Sequence, residues 1–185
     1  NAGQVFAIRS AAHIRARQEA RASAPGAGTC AAQIGATIAR LERHLRAAGG
    51  LRVGDLRRDI QHRMSEAAGF VCRVEAIAAA RQEAGALNEA IREKGVAADG
   101  PEKLADAVLW AQTALTSEAV LAALQHYAAG GGGSRGARVM CAPSGACVPD
   151  ARLGLLEEYR FLPEQAADRR RQIRVRYDEG RFVIR

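Results

Sequence analysis

The stretch TCAAQIGATIARLERHL, Thr29 to Leu45, decides the fold class, because Cys30, Ile34, Ile38, Leu41 and Leu45 recur at steps of three or four residues. That spacing stacks them on one helical face. Thr29 reads as the N-cap, and Gly49-Gly50 as the C-terminal stop. A stripe of this kind calls for another apolar surface to cover it.

The same period extends outward in both directions. Toward the start, Val5, Phe6, Ile8, Ala12 and Ile14 mark a helix from Val5 to about Ala22, entered through a small Asn1-Ala2-Gly3 turn and ended before Pro25-Gly26. Toward the end, Leu56, Ile60, Met64 and Ala67 predict a third helix from about Asp55 to Ala68, and Gly69 allows a break or a close backbone approach. Val74, Ile77, Ala84, Leu87 and Ile91 predict a fourth helix that stops near Gly95. Asp99-Gly100-Pro101 then opens a fifth, carrying Leu104, Val108, Ala111, Leu115 and Leu124, with Pro101 suited to a first turn. The expected fold is mainly α: an antiparallel bundle of four to five helices.

At Gly130-Gly131-Gly132-Gly133 the pattern changes, and the run reads as a flexible linker into a loop-rich tail. A helical period returns only around 163–171. The chain closes with Arg174 to Tyr177 and Arg181 to Ile184 around Asp178-Glu179-Gly180, the signature of a small β-hairpin.

Composition narrows the function classes. The chain has 185 residues, of which 48% are hydrophobic but only 4% aromatic, so its core is built from aliphatic side chains and alanine. The net charge of +7 is mostly arginine spread among Asp and Glu on helical faces, which reads as solvated surface rather than as a nucleic-acid patch. Apolar stretches are interrupted by charge before about 18 residues, so no membrane-spanning segment is expected. Cys30, Cys72, Cys141 and Cys147 are too scattered for a disulfide scaffold, which suggests a reducing, cytoplasmic setting. Cys141 and Cys147 are close enough in sequence to pair, but two free thiols are the expectation. His13, His44, His62 and His126 each stand alone on helical patterns and read as surface histidines rather than zinc ligands. Neither Ser134 nor Ser144 has the nucleophile-elbow context of a serine hydrolase. An opening at Asn1-Ala2-Gly3-Gln4, with neither an initiator Met nor a signal sequence, leads us to expect a C-terminal piece of a larger protein that does not complete a reaction alone.

One segment stands out chemically. In Ser134-Arg135-Gly136-Ala137-Arg138, two arginines beside a glycine follow a long helix and present forked donors to a carboxylate or phosphate. Chemistry alone leaves a structural clamp and a ligand site equally open.

That segment, with the helices before it, resembles the C-terminal helical domain of the succinate dehydrogenase and fumarate reductase flavoprotein family, which includes L-aspartate oxidase. The family's last long helix runs into Ser-Arg-Gly-Ala-His, matched here with Arg138 in place of the His. A second stretch, Met64 with Gly69-Phe70-Val71-Cys72-Arg73, is similar to the family's Met, Gly and Arg pattern, the Arg falling one place later. At the front, Asn1-Ala2-Gly3-Gln4-Val5 resembles the last loop and helix of the family's FAD domain. The resemblance implies an FAD-dependent oxidoreductase with three parts: 1–24, the end of the FAD-binding domain; 25–129, the helical domain; and 130–185, the glycine-rich segment and tail. Under it, Asn1, Ala2, Gly3, Gln4 and Val5 border the flavin, Arg135 and Arg138 dock the helical domain to the FAD domain or meet an anion, and catalytic residues lie upstream. It further implies two partners, an N-terminal FAD-binding domain of the same chain and an iron-sulfur or other electron-transfer subunit. The alternative from another class is a non-enzymatic basic helical module that binds an acidic protein or nucleic acid.

Overall fold

The computed structural model describes residues 2–19, 27–47, 49–150, 152, 157–170, 172–178 and 180–185. For residues 2–6, 18–19 and 27 it describes the backbone alone. The chain is mainly helical and divides into two compact units, Asn1–Arg40 and Leu41–Arg185.

The first unit contains α1 (Ala2–Glu19) and α2 (Ala27–Leu45) up to Arg40. Two local expectations are corrected here. Ala2 and Gly3, expected in an entry turn with Asn1, which lies outside the described residues, are already helical, and no proline or β-branched run stands between Ala2 and Ala12 to oppose it. Thr29 does not cap α2 but lies within its first turn. The stripe that decided the fold class also behaves differently from the expectation: Ile34 and Ile38 are 60% and 51% exposed, and Ile8 and Ile14 on α1 are exposed too.

The second unit starts with the last turn of α2 and runs β1 (Leu51–Arg52), α3 (Val53–Ala68), β2 (Val71–Arg73), α4 (Val74–Lys94), β3 (Val96–Ala97), a 3-10 turn at Pro101–Lys103, α5 (Leu104–Ala129), β4 (Val139–Cys141) and the hairpin β5 (Val175–Asp178) and β6 (Arg181–Ile184). Here α3, α4 and α5 pack on one another. One core cluster holds Ala67, Cys72, Ile77, Ala80, Leu121 and Met140, and a second holds Leu56, Ile60, Ile91, Val96, Ala107 and Ala114. Met64 packs against both and joins them. Burying an aliphatic side chain such as Ile77 or Leu121 contributes about 1.5–3 kcal/mol.

Small side chains set the approach of α4 to α5. Ala80 and Ala84 on α4, with Ala107, Ala114 and Ser117 on α5, are buried where longer residues would hold the helices apart. The one buried amide on this face, Asn88, donates from Nδ2 to the carbonyl of Ala114 at 3.3 Å and to Glu118 Oε2 at 2.7 Å. Glu75 at the start of α4 and Arg92 and Lys94 at its end match the helix dipole. Gly95 ends it at φ 74°, a left-handed conformation that a side chain would strain, and an added Cβ would also lie 3.0 Å from the carbonyl oxygen of Arg43.

By length and composition α5 with its leading 3-10 turn, Pro101–Ala129, is apolar enough to cross a membrane, at a mean hydropathy of 1.4. This corrects the expectation that no segment passes that test, since its few charges are spaced widely enough to be tolerated. The helix packs on α3 and α4 and buries Ala107, Ala114 and Leu121, with 33% of its most apolar window buried.

Two parallel strand pairs lock the connections. In one, β1 pairs with β3 through Leu51↔Val96, and in the other β2 pairs with β4 through Val71↔Val139, Cys72↔Met140 and Arg73↔Cys141. The C-terminal hairpin forms as expected, antiparallel from Val175↔Ile184 to Asp178↔Arg181, and Tyr177 and Phe182 face each other at 5.1 Å.

His44 corrects the reading of the histidines as surface groups. It is 4% exposed, and its Nδ1 accepts a 3.0 Å hydrogen bond from the backbone N–H of Val96. Its own carbonyl accepts from Ala98 N–H at 3.2 Å, so the end of α2 is tied to β3 and to the residue that follows it. Helical spacing leaves a polar ring at this position looking solvated, but the β3 edge covers it.

Candidate functional site

The segment Ser134–Arg138 sits where α5 ends, and its position depends on the glycine run before it. That run is not a linker. Gly132 and Gly133 are buried. A Cβ on Gly132 would lie 2.5 Å from the Tyr127 ring, and one on Gly133 would lie 1.8 Å from the carbonyl oxygen of Pro163. The tail crosses here at contact distance, and only a residue without a side chain leaves room.

Hydrogen bonds hold the crossing from both sides. Ser134 N–H donates to Leu162 O at 2.7 Å, and Leu162 N–H donates to Met140 O at 2.9 Å. Gln165 Nε2 donates to Gly131 O at 2.6 Å. The Tyr127 hydroxyl lies 2.9 Å from Gly133 O and 3.1 Å from Asp168 Oδ2, and Asp168 is 2% exposed. Burial first, and the hydrogen bond to Asp168 second, push the Tyr127 phenol above its ordinary pKa.

Arg135 and Arg138 are brought together and then used differently. Their backbones exchange hydrogen bonds of 2.9 and 3.1 Å across a tight turn in which Gly136 has φ 59°. Arg135 spends its fork inside the chain, donating from Nη1 to Asp168 O at 2.6 Å and from Nη2 to Arg169 O at 3.4 Å. Arg138 is exposed, and its guanidinium has no hydrogen bond or ion pair among the described residues. Ser134 Oγ accepts from Met140 N–H at 3.0 Å, which orients the turn on β4.

The two stretches that carry the sequence resemblance, 65 or so positions apart in the chain, meet at this point. Val139 N–H donates to Phe70 O at 2.8 Å, and β2 continues alongside β4. Gly69 permits the arrival, since a Cβ there would lie 2.6 Å from the carbonyl oxygen of Ser65. Beside Arg138 the Phe70 residue is 67% exposed, so a cation and an aromatic ring stand on neighbouring strand entries. Below them Cys72 is fully buried, and its thiol pKa is raised by burial against a smaller lowering by Arg138. Cys141 is shifted up in the same way, with Arg73 opposing. Both thiols stay protonated and are poor nucleophiles.

None of the four cysteines is in a disulfide; Cys141 and Cys147 are unbonded to each other, as expected, and flank Phe161 through separate backbone bridges. Among the described residues no cluster of His, Cys, Asp and Glu has the makings of a metal site. Of the proposed flavin neighbours, Asn1 lies outside the described residues, while Ala2, Gly3, Gln4 and Val5 form the first turn of α1. That turn carries no acidic residue. Sequence reading missed Tyr127 and Asp168, whose only local sign is an apolar helix face ending in a tyrosine before the glycines. No family model matches the chain, and neither a curated protein nor a solved structure matches it significantly.

Proposed function

We propose that this chain is the C-terminal part of an FAD-dependent oxidoreductase of the succinate dehydrogenase and fumarate reductase flavoprotein type. The observation that carries the reading is the meeting of Met64–Arg73 with Ser134–Arg138: the two stretches similar to that family form one exposed corner, through Val139 N–H on Phe70 O and the β2–β4 pair. In this reading Arg135 holds the corner rigid through the tail carbonyls of Asp168 and Arg169. Arg138, with an uncommitted fork, meets a carboxylate of the FAD-binding domain. Bound FAD supplies hydride transfer at its N5 position. The residues here that suit it are Ala2 to Val5, where a helix N-terminus free of acidic side chains favours negative charge nearby. No catalytic acid or base is assigned to the chain, and an electron-transfer subunit is the expected partner.

The test is the full gene product. Purified, it is expected to be yellow, absorbing near about 450 nm as oxidised flavins do. A colourless protein that also fails to bind added FAD refutes the proposal and leaves the basic helical interaction module. The 185-residue chain by itself is expected to show no flavin turnover, because it contains no strand–glycine–helix dinucleotide fingerprint.

A further inference from the structure

Residues 169–185 hold seven arginines against Asp178 and Glu179, so seventeen positions carry five of the seven net positive charges of the chain. On the helical body, Arg46, Arg58, Arg92 and Arg160 each have a carboxylate partner three or four residues away. The C-terminal hairpin is built otherwise. Cross-strand register and alternation put Arg174, Arg176, Arg181 and Arg185 on one face with Asp178 and Val183, and Val175, Tyr177, Phe182 and Ile184 on the other. All four arginines are exposed, whereas Val175, Phe182 and Ile184 are half-buried in a hairpin that packs on α5. The arginine face is therefore the one turned outward. Arg176 has an ion pair, at 2.9 Å to Asp178, while the guanidinium groups of Arg174, Arg181 and Arg185 have none among the described residues. Arg174 and Arg185 also stand directly opposite each other, their backbones exchanging hydrogen bonds of 2.8 and 3.0 Å. Like charges so placed destabilise a strand pair, and an anion bridging the two forks relieves the repulsion.

The density of these charges selects the partner. Arg174 and the Asp178↔Arg181 pair lie four residues apart along the strand, about 14 Å at roughly 3.4 Å per residue. Over that length an extended acidic peptide turns about two carboxylates toward one face, since alternate side chains point away. A nucleic-acid duplex carries one phosphate per about 1.7 Å of its axis, so it offers several to the four guanidinium forks at once. A two-stranded ribbon also has a width that the major groove of a duplex admits. Single strands are usually held by cations combined with aromatic platforms. Here Tyr177 and Phe182 lie on the opposite face, their ring centroids 5.1 Å apart, and no aromatic ring of the hairpin shares the arginine face. We infer that the arginine face of the β5–β6 hairpin binds the phosphate backbone of a double-stranded nucleic acid, without reading its sequence. The inference is independent of the flavin reading, and its test needs no flavin.

The probe is a short fluorescein-labelled DNA duplex of mixed sequence, titrated with the 185-residue chain and followed by fluorescence anisotropy. With four phosphates neutralised, the affinity should fall about a hundredfold between about 50 and 200 mM salt. Arg174→Gln combined with Arg185→Gln should reduce that fall to about tenfold, because two phosphate contacts are lost. Arg9→Gln combined with Arg40→Gln removes the same charge from exposed positions on α1 and α2 and should leave the salt dependence unchanged. Neither pair of substitutions touches a buried side chain, so neither should lower the unfolding midpoint. Polyglutamate and phosphatidylserine vesicles, supplied at equal charge, should not displace the duplex, and a single strand of the same length should bind more weakly. No saturable binding, displacement by polyglutamate or by the vesicles, or tighter binding of the single strand would each overturn the inference. So would a salt dependence that the Arg174 and Arg185 substitutions leave unchanged, or that the Arg9 and Arg40 substitutions lower equally.

Discussion

Replacing Gly133 by alanine tests whether the glycine run is a packed crossing or a linker. The added methyl would sit 1.8 Å from the carbonyl oxygen of Pro163 and 2.8 Å from its carbon, both backbone atoms that no rotamer change can move. To restore ordinary contact the tail must retreat by about 1.5 Å or more. Overpacking of this kind costs about 1–3 kcal/mol, and each hydrogen bond opened by the retreat adds about 0.5–1.5 kcal/mol. The bonds at risk are Ser134 N–H to Leu162 O at 2.7 Å and Gln165 Nε2 to Gly131 O at 2.6 Å, which flank the contact. The expected loss is therefore about 2–6 kcal/mol, measured by urea unfolding followed by far-ultraviolet circular dichroism. Hydrogen exchange over residues 160–170 would report a loss confined to the tail. Gly85→Ala supplies the contrast. It lies within α4, where a Cβ meets nothing nearer than Glu118 Oε1 at 3.7 Å, and it should stabilise by about 0.5–1 kcal/mol through helix propensity alone. If Gly133→Ala leaves both the midpoint and tail exchange unchanged, the packed crossing is wrong and the run is a linker after all.

Three further outcomes are expected. His44→Ala strands the buried N–H of Val96 and should cost about 1–3 kcal/mol in the same unfolding measurement, whereas a surface histidine would cost almost nothing. The raised phenol pKa of Tyr127 means that the folded state holds the proton more tightly than the unfolded state. Its contribution is therefore complete below the unfolded pKa of about 10 and lost as pH rises through the folded value, so the native protein should lose stability more steeply than Tyr127→Phe above about pH 10. With a thiol-reactive dye at neutral pH, the half-exposed Cys30 and Cys147 should react first, while Cys72 and Cys141, buried and shifted up, should react only on unfolding; early labelling of Cys72 would contradict its burial.

Local periodicity in the sequence was enough to determine the helical class, the inward faces of α3 and α4 through Leu56, Ile60, Ile77 and Ile91, the break at Gly69 and the terminal hairpin. Each follows from neighbours within a turn or two, because spacing at 3.6 or 2 residues says which side of an element is apolar. What covers that side is a separate matter, and only tertiary structure decided it. The regular stripe through Ile34 and Ile38 is exposed, while His44, polar by pattern, is buried under β3. The glycine run looks flexible in composition, yet Gly133 is required where Pro163 crosses, some thirty positions later in the chain. Arg135 and Arg138 are chemically equivalent in sequence. The carbonyls of Asp168 and Arg169 engage the first, and the second is left open toward solvent beside Phe70. Contacts between segments so far apart depend on how the helices pack, which no local pattern encodes.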